Sequence, residues 1–298
     1  MLRNPFDTAG QWFKANLHTH TAESDGKTPL DMRIEQYRDG GYYILSITDH
    51  DMVVPVADRS TDDFLLVNGT ENGVPAFREG HRFHVLCLNV PVDMPCDDWE
   101  DPNAVFAMVN DCGGIAFLAH PYWSACNASD MARLEGCAGI EVWNSSQWGG
   151  GHAVASVHWD MALDRGIRFP AIAADDTHSG PGGDWDLCTG YTMLKMPELT
   201  VEALMDALRN GCWYSSTGPE ILAFGVRDGV AYARCSPARE VRFLGWGPRG
   251  RRFWQERHGT LTEAQVEVDD YWRWVRLEVE DENGRVAWAN PIFLDELD

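Results

Sequence analysis

The feature that most constrains the fold is an alternation of short apolar runs with segments of helical periodicity, which continues to about residue 218. The apolar runs predict strands at 12–17, 43–47, 64–67, 84–88, 114–118, 139–142, 169–173 and 191–194. The helical segments lie at 30–38, 103–110, 131–134, 154–164 and 201–209. Such alternation favours an α/β fold in which helices wrap a parallel sheet or barrel.

The pattern changes from about residue 219 onward. Shorter alternating runs are separated by glycine-rich turns and by Asn283-Gly284, which is typical of antiparallel hairpins. We therefore predict a barrel domain at 1–218 and a small C-terminal antiparallel β unit at 219–298 packed on it. Its tryptophans are predicted to form the packing surface, with a carbohydrate-binding face as the alternative; they are Trp246, Trp254, Trp272, Trp274 and Trp288.

Composition excludes several classes of protein. The net charge of −22 repels a phosphate backbone, so we expect no long nucleic acid as partner. No apolar run approaches the roughly 18 residues of a membrane span, and the first residues lack the features of a signal peptide. We therefore expect a cytoplasmic protein with no membrane partner. The eight cysteines contain no C-x-x-C pair and are predicted to be buried thiols.

Histidines and carboxylates recur where the predicted strands end. His18, His20 and Asp25 follow the first strand, His50 the second and Glu71 the third. His84 begins the fourth, His120 follows the fifth, and Asp176 and His178 follow the seventh. The loops after the strands of a β/α barrel converge on one face, and residues two apart in an extended chain point to the same side.

A metal site explains this recurrence better than chance does. A single histidine at a strand end is more often structural than a ligand. Here six of ten histidines share that position with three carboxylates, and burying them together without a metal would be costly. His81 competes with His84 for the fourth position, and His84 is preferred because Val85-Leu86 follow it. Asp175 is predicted to support Asp176 as a hydrogen-bond acceptor.

The motifs LHTHTAESDG, ITDHD, GTE, HVL, AHP and DDTH resemble those of the PHP family (polymerase and histidinol phosphatase) over residues 12–220. The runs AHPYW, EVWN, TGPEI and ANPIFL are most similar to its carbaryl-hydrolase-like branch. The resemblance implies a distorted (β/α)7 barrel with a trinuclear metal site. It implies that His18, His20, Glu71 and Asp176 hold one ion, that Glu71 bridges to a second ion on His84 and His120, and that Asp25, His50 and His178 hold a third.

The implied chemistry is metal-dependent hydrolysis. Imidazole and carboxylate ligands suit zinc, manganese or iron, and two to three divalent ions outweigh the charge of three carboxylates, so an anionic small molecule is favoured. Metal binding lowers the pKa of water from about 15.7 to about 7. We expect a phosphoesterase that attacks a small phosphorylated metabolite or nucleotide with a metal-bridging hydroxide, with His18, His20, Glu71, Asp176 and His178 as catalytic residues. The alternatives are a carboxyl ester, amide or carbamate hydrolase and a non-catalytic metal-binding module.

Seven further residues are candidate substrate contacts. Lys27, Arg78 and Arg82 lie near the ligands in sequence, and the loops after the fifth and sixth strands contain Tyr122, Trp123, Asn144 and His152. Solvated charge and packing are the alternatives for the cations and the aromatic residues. Residues 179–185 are glycine-rich and predicted to act as a lid. His158 and His258 are predicted to be structural.

Overall fold

The computed structural model describes residues 2–255 and 260–297 and has a mixed α/β fold. The strands are β1 Gln11–Asn16, β2 Ile44–Ile47, β3 Leu65–Pro75, β4 Arg82–Leu88, β5 Ile115–Leu118, β6 Ile140–Asn144, β7 Ala171–Ala174, β8 Tyr191–Met196, β9 Trp213–Ser216, β10 Ile221–Arg227, β11 Val230–Ala238, β12 Glu240–Gly245, β13 Gly250–Trp254, β14 Leu261–Glu267, β15 Trp274–Glu280 and β16 Val286–Phe293. The helices are α1 Leu30–Asp39, α2 Pro102–Asp111, α3 Ala128–Met131, α4 Ser156–Asp164 and α5 Val201–Asn210.

A large sheet positions the functional residues. Its central order is β8-β1-β2-β3-β4-β5-β6-β7. The strands β1, β2 and β3 are parallel, as are β5, β6 and β7, whereas β4 runs antiparallel to both neighbours. All residues of β2, β5 and β7 are buried, which is expected of strands covered on both faces.

Side-chain hydrogen bonds connect β7, at one end of the sheet, with β8 and β9. The Thr192 hydroxyl on β8 accepts from the Ala173 amide and donates to its carbonyl on β7, at 3.2 and 3.0 Å. The Trp213 indole and the Ser215 hydroxyl on β9 both donate to the Ala171 carbonyl, at 2.8 and 2.9 Å. These contacts curl the sheet towards a closed barrel.

The helices α2, α3 and α5 begin at residues whose side chains cap them, whereas α1 and α4 have no side-chain cap. Asp101 accepts from the amides at the start of α2, and Pro102 occupies its first turn, where a missing N–H costs nothing. Thr200 caps α5 in the same way, and Gly211 ends it with φ of 74°. The apolar face of α5 packs Leu204 and Leu208 into the core that also contains residues of β1, β5 and β8, as an amphipathic helix should.

The predicted strands and helices of the barrel region are present with shifted ends. The largest difference is β3, which continues to Pro75 because it forms a hairpin with β4. The direction of β4 corrects the expectation of a wholly parallel sheet. The strands β9 and β13 were not predicted. The mixed α/β class is confirmed, and the count of seven β/α units remains a prediction.

The C-terminal strands divide between two sheets. The strands β10, β11 and β14 form a separate antiparallel sheet, while β16, β15, β12 and β13 extend the large sheet beyond β9. Trp274 and Trp288 are buried in a core shared with the barrel region, whereas Trp254 is 55% exposed and does not serve the predicted packing. The boundary at 218/219 stays a prediction, and His258 lies outside the described residues.

Two predictions from composition can be compared with the structure. All eight cysteines are free and five are buried, but Cys112 is exposed, so burial is not general. Within residues 2–255 and 260–297, no helix combines the length and apolar character that a membrane crossing requires.

Candidate metal centre

The nine predicted ligands meet at one rim of the barrel. Parallel strands deliver those that follow β1, β2, β5 and β7, because the carboxyl ends of these strands share that rim. Since β4 is antiparallel, its beginning lies there too, and this places His84 beside Glu71 of β3. Each of the nine side chains lies within 3.7 Å of another member.

The inner group consists of His18, His20, Glu71, His120 and Asp176, whose side chains are at most 3% exposed. His18 Nε2 and His20 Nε2 lie 3.1 Å apart. Both are 3.1 Å from Glu71 Oε2, and they lie 3.3 and 3.0 Å from Asp176 Oδ1. Two imidazole nitrogens and two carboxylate oxygens therefore face one point.

Glu71 is the centre of the network. Its Oε1 lies 2.9 Å from both His84 Nδ1 and His120 Nε2, while Oε2 faces His18 and His20. One carboxylate thus presents an oxygen to each of two histidine pairs, which is the arrangement a bridging ligand requires. His81, by contrast, is exposed in the turn between β3 and β4.

The outer group consists of Asp25, His50 and His178, with side chains 55%, 26% and 26% exposed. Asp25 lies 3.2 Å from His178 Nε2, 3.5 Å from His20 Nδ1 and 3.7 Å from His50 Nε2. His50 Nδ1 is also 3.3 Å from Glu71 Oε2. The outer group is therefore continuous with the inner group but open to solvent.

Buried polar atoms without partners show that the cluster fits metal ions. Asp176 Oδ1 and His20 Nδ1 are buried and make no hydrogen bond, although imidazole nitrogens surround the first and Asp25 lies beside the second. Leaving such atoms unpaired is costly. Three ligand groups could each hold an ion; they are His18, His20, Glu71 and Asp176, then His20, Asp25, His50 and His178, then His50, Glu71 and His84. Because His20 and His50 each belong to two groups, the distribution of ligands among ions remains a prediction.

The electrostatics of the inner group favour cations. Burial opposes protonation of His20, but the carboxylates of Asp176 and Glu71 outweigh it and raise its pKa to about 9. Burial also opposes protonation of His18, but the carboxylates of Asp176, Glu71 and Glu141 outweigh it and raise the pKa of His18 well above its usual range. Burial alone would raise the pKa of Glu71, yet the surrounding histidines hold it well below its ordinary value. Without a metal ion, His18 and His20 therefore bind protons that balance the carboxylates. A metal ion must displace these protons to bind.

Glu141 on β6 supports this cluster and was not predicted. Its Oε1 accepts from His18 Nδ1 at 2.7 Å, and its Oε2 accepts from the His120 amide at 2.8 Å. Its Oε2 also accepts from the Asn144 amide, which donates to Asp176 as well. A carboxylate on the far nitrogen fixes the histidine tautomer so that Nε2 faces the metal. The signal was a lone charge in the apolar run of β6.

Two further buried carboxylates hold the ligand loops and were also missed. Asp49 accepts from the Thr21 amide and hydroxyl at 2.8 and 2.7 Å and from the Ser24 hydroxyl at 2.6 Å, which fixes the loop that carries Asp25. Asp186 accepts from the His178 amide at 2.8 Å. Asp175 accepts from Tyr37, Ser145 and the 188–190 backbone, which is the supporting role expected of it.

The ligand backbone is strained where the chain turns into the site. His120 and Asp176 have φ of 25° and 54°, in a region that costs non-glycine residues about 1–3 kcal/mol. Gly26 is needed for a different reason, because a Cβ there would lie 2.7 Å from the His20 backbone. Strain at two ligands indicates that these turns are determined by the placement of the side chains and not by the local backbone preference of the residues.

The candidate substrate contacts occupy different places. Trp123 is 47% exposed and packs on His84 and His120, with ring centroids 5.3 and 5.0 Å away. Tyr122 is 40% exposed and packs on His152 and His158. Lys27 is exposed next to the loop 179–185. Trp123 therefore contacts two of the predicted ligands, whereas Tyr122 and His152 contact each other.

Three other candidates are already engaged. Arg78 pairs with Asp130 at 3.0 Å, and Arg82 donates to the Gly73 carbonyl at 2.8 Å. Asn144 is buried, and its amide nitrogen donates to two carboxylates of the cluster. A substrate contact by Asn144 stays a prediction, and its position at the end of β6 turns its amide towards Asp176.

Fold and site together define a mixed α/β protein with a histidine and carboxylate cluster at the edge of its large sheet where the parallel strands end. No family model matches the chain, and no curated protein matches it. Among solved structures, the chain is similar to a two-domain protein from Bacteroides vulgatus containing a predicted PHP-like metal-dependent phosphoesterase, with 16% identity, a TM-score of 0.55 and 98% of each chain covered.

Two further solved structures are similar at lower scores. An amidohydrolase from Chromobacterium violaceum is 16% identical, with a TM-score of 0.46 over 65% of this chain and 96% of that one. A lesion-specific endonuclease from Pyrococcus furiosus is 14% identical, with a TM-score of 0.43 over 67% and 56%. The Bacteroides protein supports the resemblance to the PHP family at the level of fold, while the carbaryl-hydrolase-like branch remains a prediction.

Proposed function

We propose that this protein is a metal-dependent phosphoesterase that hydrolyses a small phosphorylated metabolite or nucleotide. The observation that carries the proposal is the clustering of nine ligand-type side chains, five of them histidines within 3.3 Å of Glu71, with Asp176 Oδ1 left without a hydrogen bond inside the cluster. When bound, two to three divalent ions would acidify a water and polarise the phosphate ester. Zinc, manganese and iron all suit this donor set.

The chain's own residues would prepare that chemistry. Glu141 holds the Nδ1 proton of His18, which keeps the Nε2 lone pair directed at the cluster. Glu71 and Asp176 concentrate negative charge between His18 and His20. Because these groups are buried, their field is less screened than it would be in water. Asp25, His50 and His178 form the exposed side, where a substrate would enter.

Hydrolysis of a carboxyl ester, amide or carbamate is the second candidate. The observation in its favour is the engagement of nearby cations, since Arg78 pairs with Asp130 and Arg82 binds the Gly73 carbonyl. The negative charge of a bound phosphate would then be neutralised only by the metal ions and Lys27. Trp123 at the rim could contact an apolar leaving group in either reaction.

A substrate panel separates the candidates. Purified protein would be assayed with phosphate monoesters, phosphodiesters, carboxyl esters and carbamates, each with manganese or zinc added and again after chelation. Phosphate release that chelation abolishes is the expected result. Turnover of carboxyl esters or carbamates alone would replace the first candidate with the second, and metal binding without turnover would indicate a non-catalytic module. His81→Ala is the matched control for His84→Ala, because His81 is exposed outside the cluster.

A further inference from the structure

A cavity lies beside the metal centre, between the loops after β6 and β7 and the C-terminal strands. It has a volume of about 500 Å³ and is lined by Trp143, Trp148, Trp185 and Trp288 together with polar side chains. None of the nine predicted ligands lines it. We infer that this tryptophan cavity binds a neutral sugar ring. The inference does not depend on the proposed function.

The aromatic walls are held open to solvent. Trp148 and Trp185 are 64% and 56% exposed, which is unusual for side chains of this size. The Trp143 ring lies 5.5 Å from Trp148 and 6.3 Å from Trp288, with interplanar angles of 39° and 30°. The Trp143 indole donates to the Ser145 hydroxyl at 2.8 Å, which fixes the ring. The fixed ring of Trp143 and the exposed rings of Trp148 and Trp185 offer apolar platforms for a ring that stacks on them.

The charges of the cavity favour a neutral occupant. Arg242 donates to Glu278 at 2.9 Å and to Glu280 at 3.0 Å, and Arg285 donates to Asp281 at 2.7 Å. Every charged side chain that lines the cavity is thus paired within the fold. An anion would compete with these carboxylates, and a cation would face Arg285.

A sugar ring matches both kinds of wall. Its C–H faces can pack on indole rings, and its hydroxyls can exchange hydrogen bonds with planar polar groups. Arg285 keeps a 55% exposed side chain beside Asp281, and Asn283 is exposed at the same edge of the cavity. The volume falls within the range of about 300–1,000 Å³ that small-molecule sites occupy.

The cavity shares a wall with the metal centre. Ser145 and Thr189 line it and donate to Asp175 at 2.8 and 3.1 Å, and Asp175 precedes the predicted ligand Asp176. Trp185 belongs to the loop that follows His178. An occupant would therefore contact two side chains that donate to Asp175, the neighbour of Asp176, and the loop that follows His178.

Tryptophan fluorescence and calorimetry test the inference on the whole protein. The probes are maltotriose and cellotriose, with tetramethylammonium chloride and inorganic phosphate as charged comparisons. We expect saturable binding of at least one trisaccharide, weakened about tenfold or more by Trp148→Ala or Trp185→Ala, as loss of a stacking platform predicts. Metal content should stay at the wild-type value in both variants.

The matched control is Trp254→Ala, because Trp254 is 55% exposed on β13 outside the cavity. It should bind the trisaccharide as the wild type does. The inference is overturned if neither trisaccharide binds at millimolar concentration, if only the charged probes bind, or if Trp254→Ala weakens binding as much as Trp148→Ala does.

Discussion

The inner and outer groups of the metal centre use the same residue types but differ in burial and support. In the inner group, His18 and His120 share the carboxylate of Glu141, and every side chain is at most 3% exposed. In the outer group, Asp25 is 55% exposed and is held through the loop that Asp49 fixes. Burial makes the inner position costly to leave unfilled, whereas water can partly solvate the outer one. We therefore expect tight inner and weaker outer metal binding.

The largest effect should come from the inner group. His20→Ala and Asp176→Asn each remove a donor that faces the shared point, so turnover should be abolished while the fold stays largely intact. Metal affinity should fall by more than about 100-fold, since loss of a residue that only hydrogen-bonds to a metal ligand already costs about 10–100-fold. Metal analysis and circular dichroism check both statements. Unchanged turnover in either variant would remove that residue from the mechanism, and His81→Ala is the control.

Glu141→Gln should have the next largest effect. The amide retains the shape of the side chain but loses the charge that orients His18, so metal affinity should fall about 10–100-fold. Calorimetric metal titration measures this directly, and thermal unfolding of the metal-free protein shows whether stability alone explains it. Glu135→Gln, at an exposed position, should change neither. Normal metal affinity in Glu141→Gln would contradict the positioning role.

Asp25→Asn should have a smaller effect. We expect the bound metal to fall by one ion per chain and turnover to fall by about tenfold, while the inner ions remain. Metal stoichiometry after gel filtration measures the first quantity. Glu23→Gln is the control because Glu23 is exposed in the same loop. Loss of all metal in Asp25→Asn would show that the two groups are not separable.

The smallest effect is a pH dependence set by the inner histidines. The pKa of His20 is raised from 6.5 to about 9 in the metal-free protein. Its pairing with the carboxylates therefore stabilises the metal-free fold fully below pH 6.5, and this contribution is lost as the pH rises through about 9. Metal affinity should rise over the same interval, because fewer protons must be displaced. Titrations from pH 6.5 to 9 that show a constant affinity would contradict this assignment.

The clustering of the nine side chains could be predicted from the sequence because most of them follow predictable strand ends, and their role as metal ligands stays a prediction. Alternation of strands and helices placed seven of the nine side chains after parallel strands, and His84 came to the same rim through the reversed direction of β4. That reversal was not predictable, since hydrophobicity does not encode strand direction.

The missed features all depend on contacts between distant segments. Glu141 acts through His18 and His120. The tryptophan cavity brings together Trp143 on β6 and Trp288 on β16, which are 145 positions apart in the sequence. Periodicity reports which face of an element is buried, but it does not report what that face meets. The short strand β9 was missed for the same reason, because its pairing with β8 and β16 defines it.

Anomalous diffraction from crystals grown with manganese or zinc tests the central claim most directly. We predict a strong peak between His18 Nε2, His20 Nε2, Glu71 and Asp176, and weaker density among Asp25, His50 and His178. Crystals with no anomalous peak at the inner group, in which these side chains instead hydrogen-bond to one another or to water, would contradict the account.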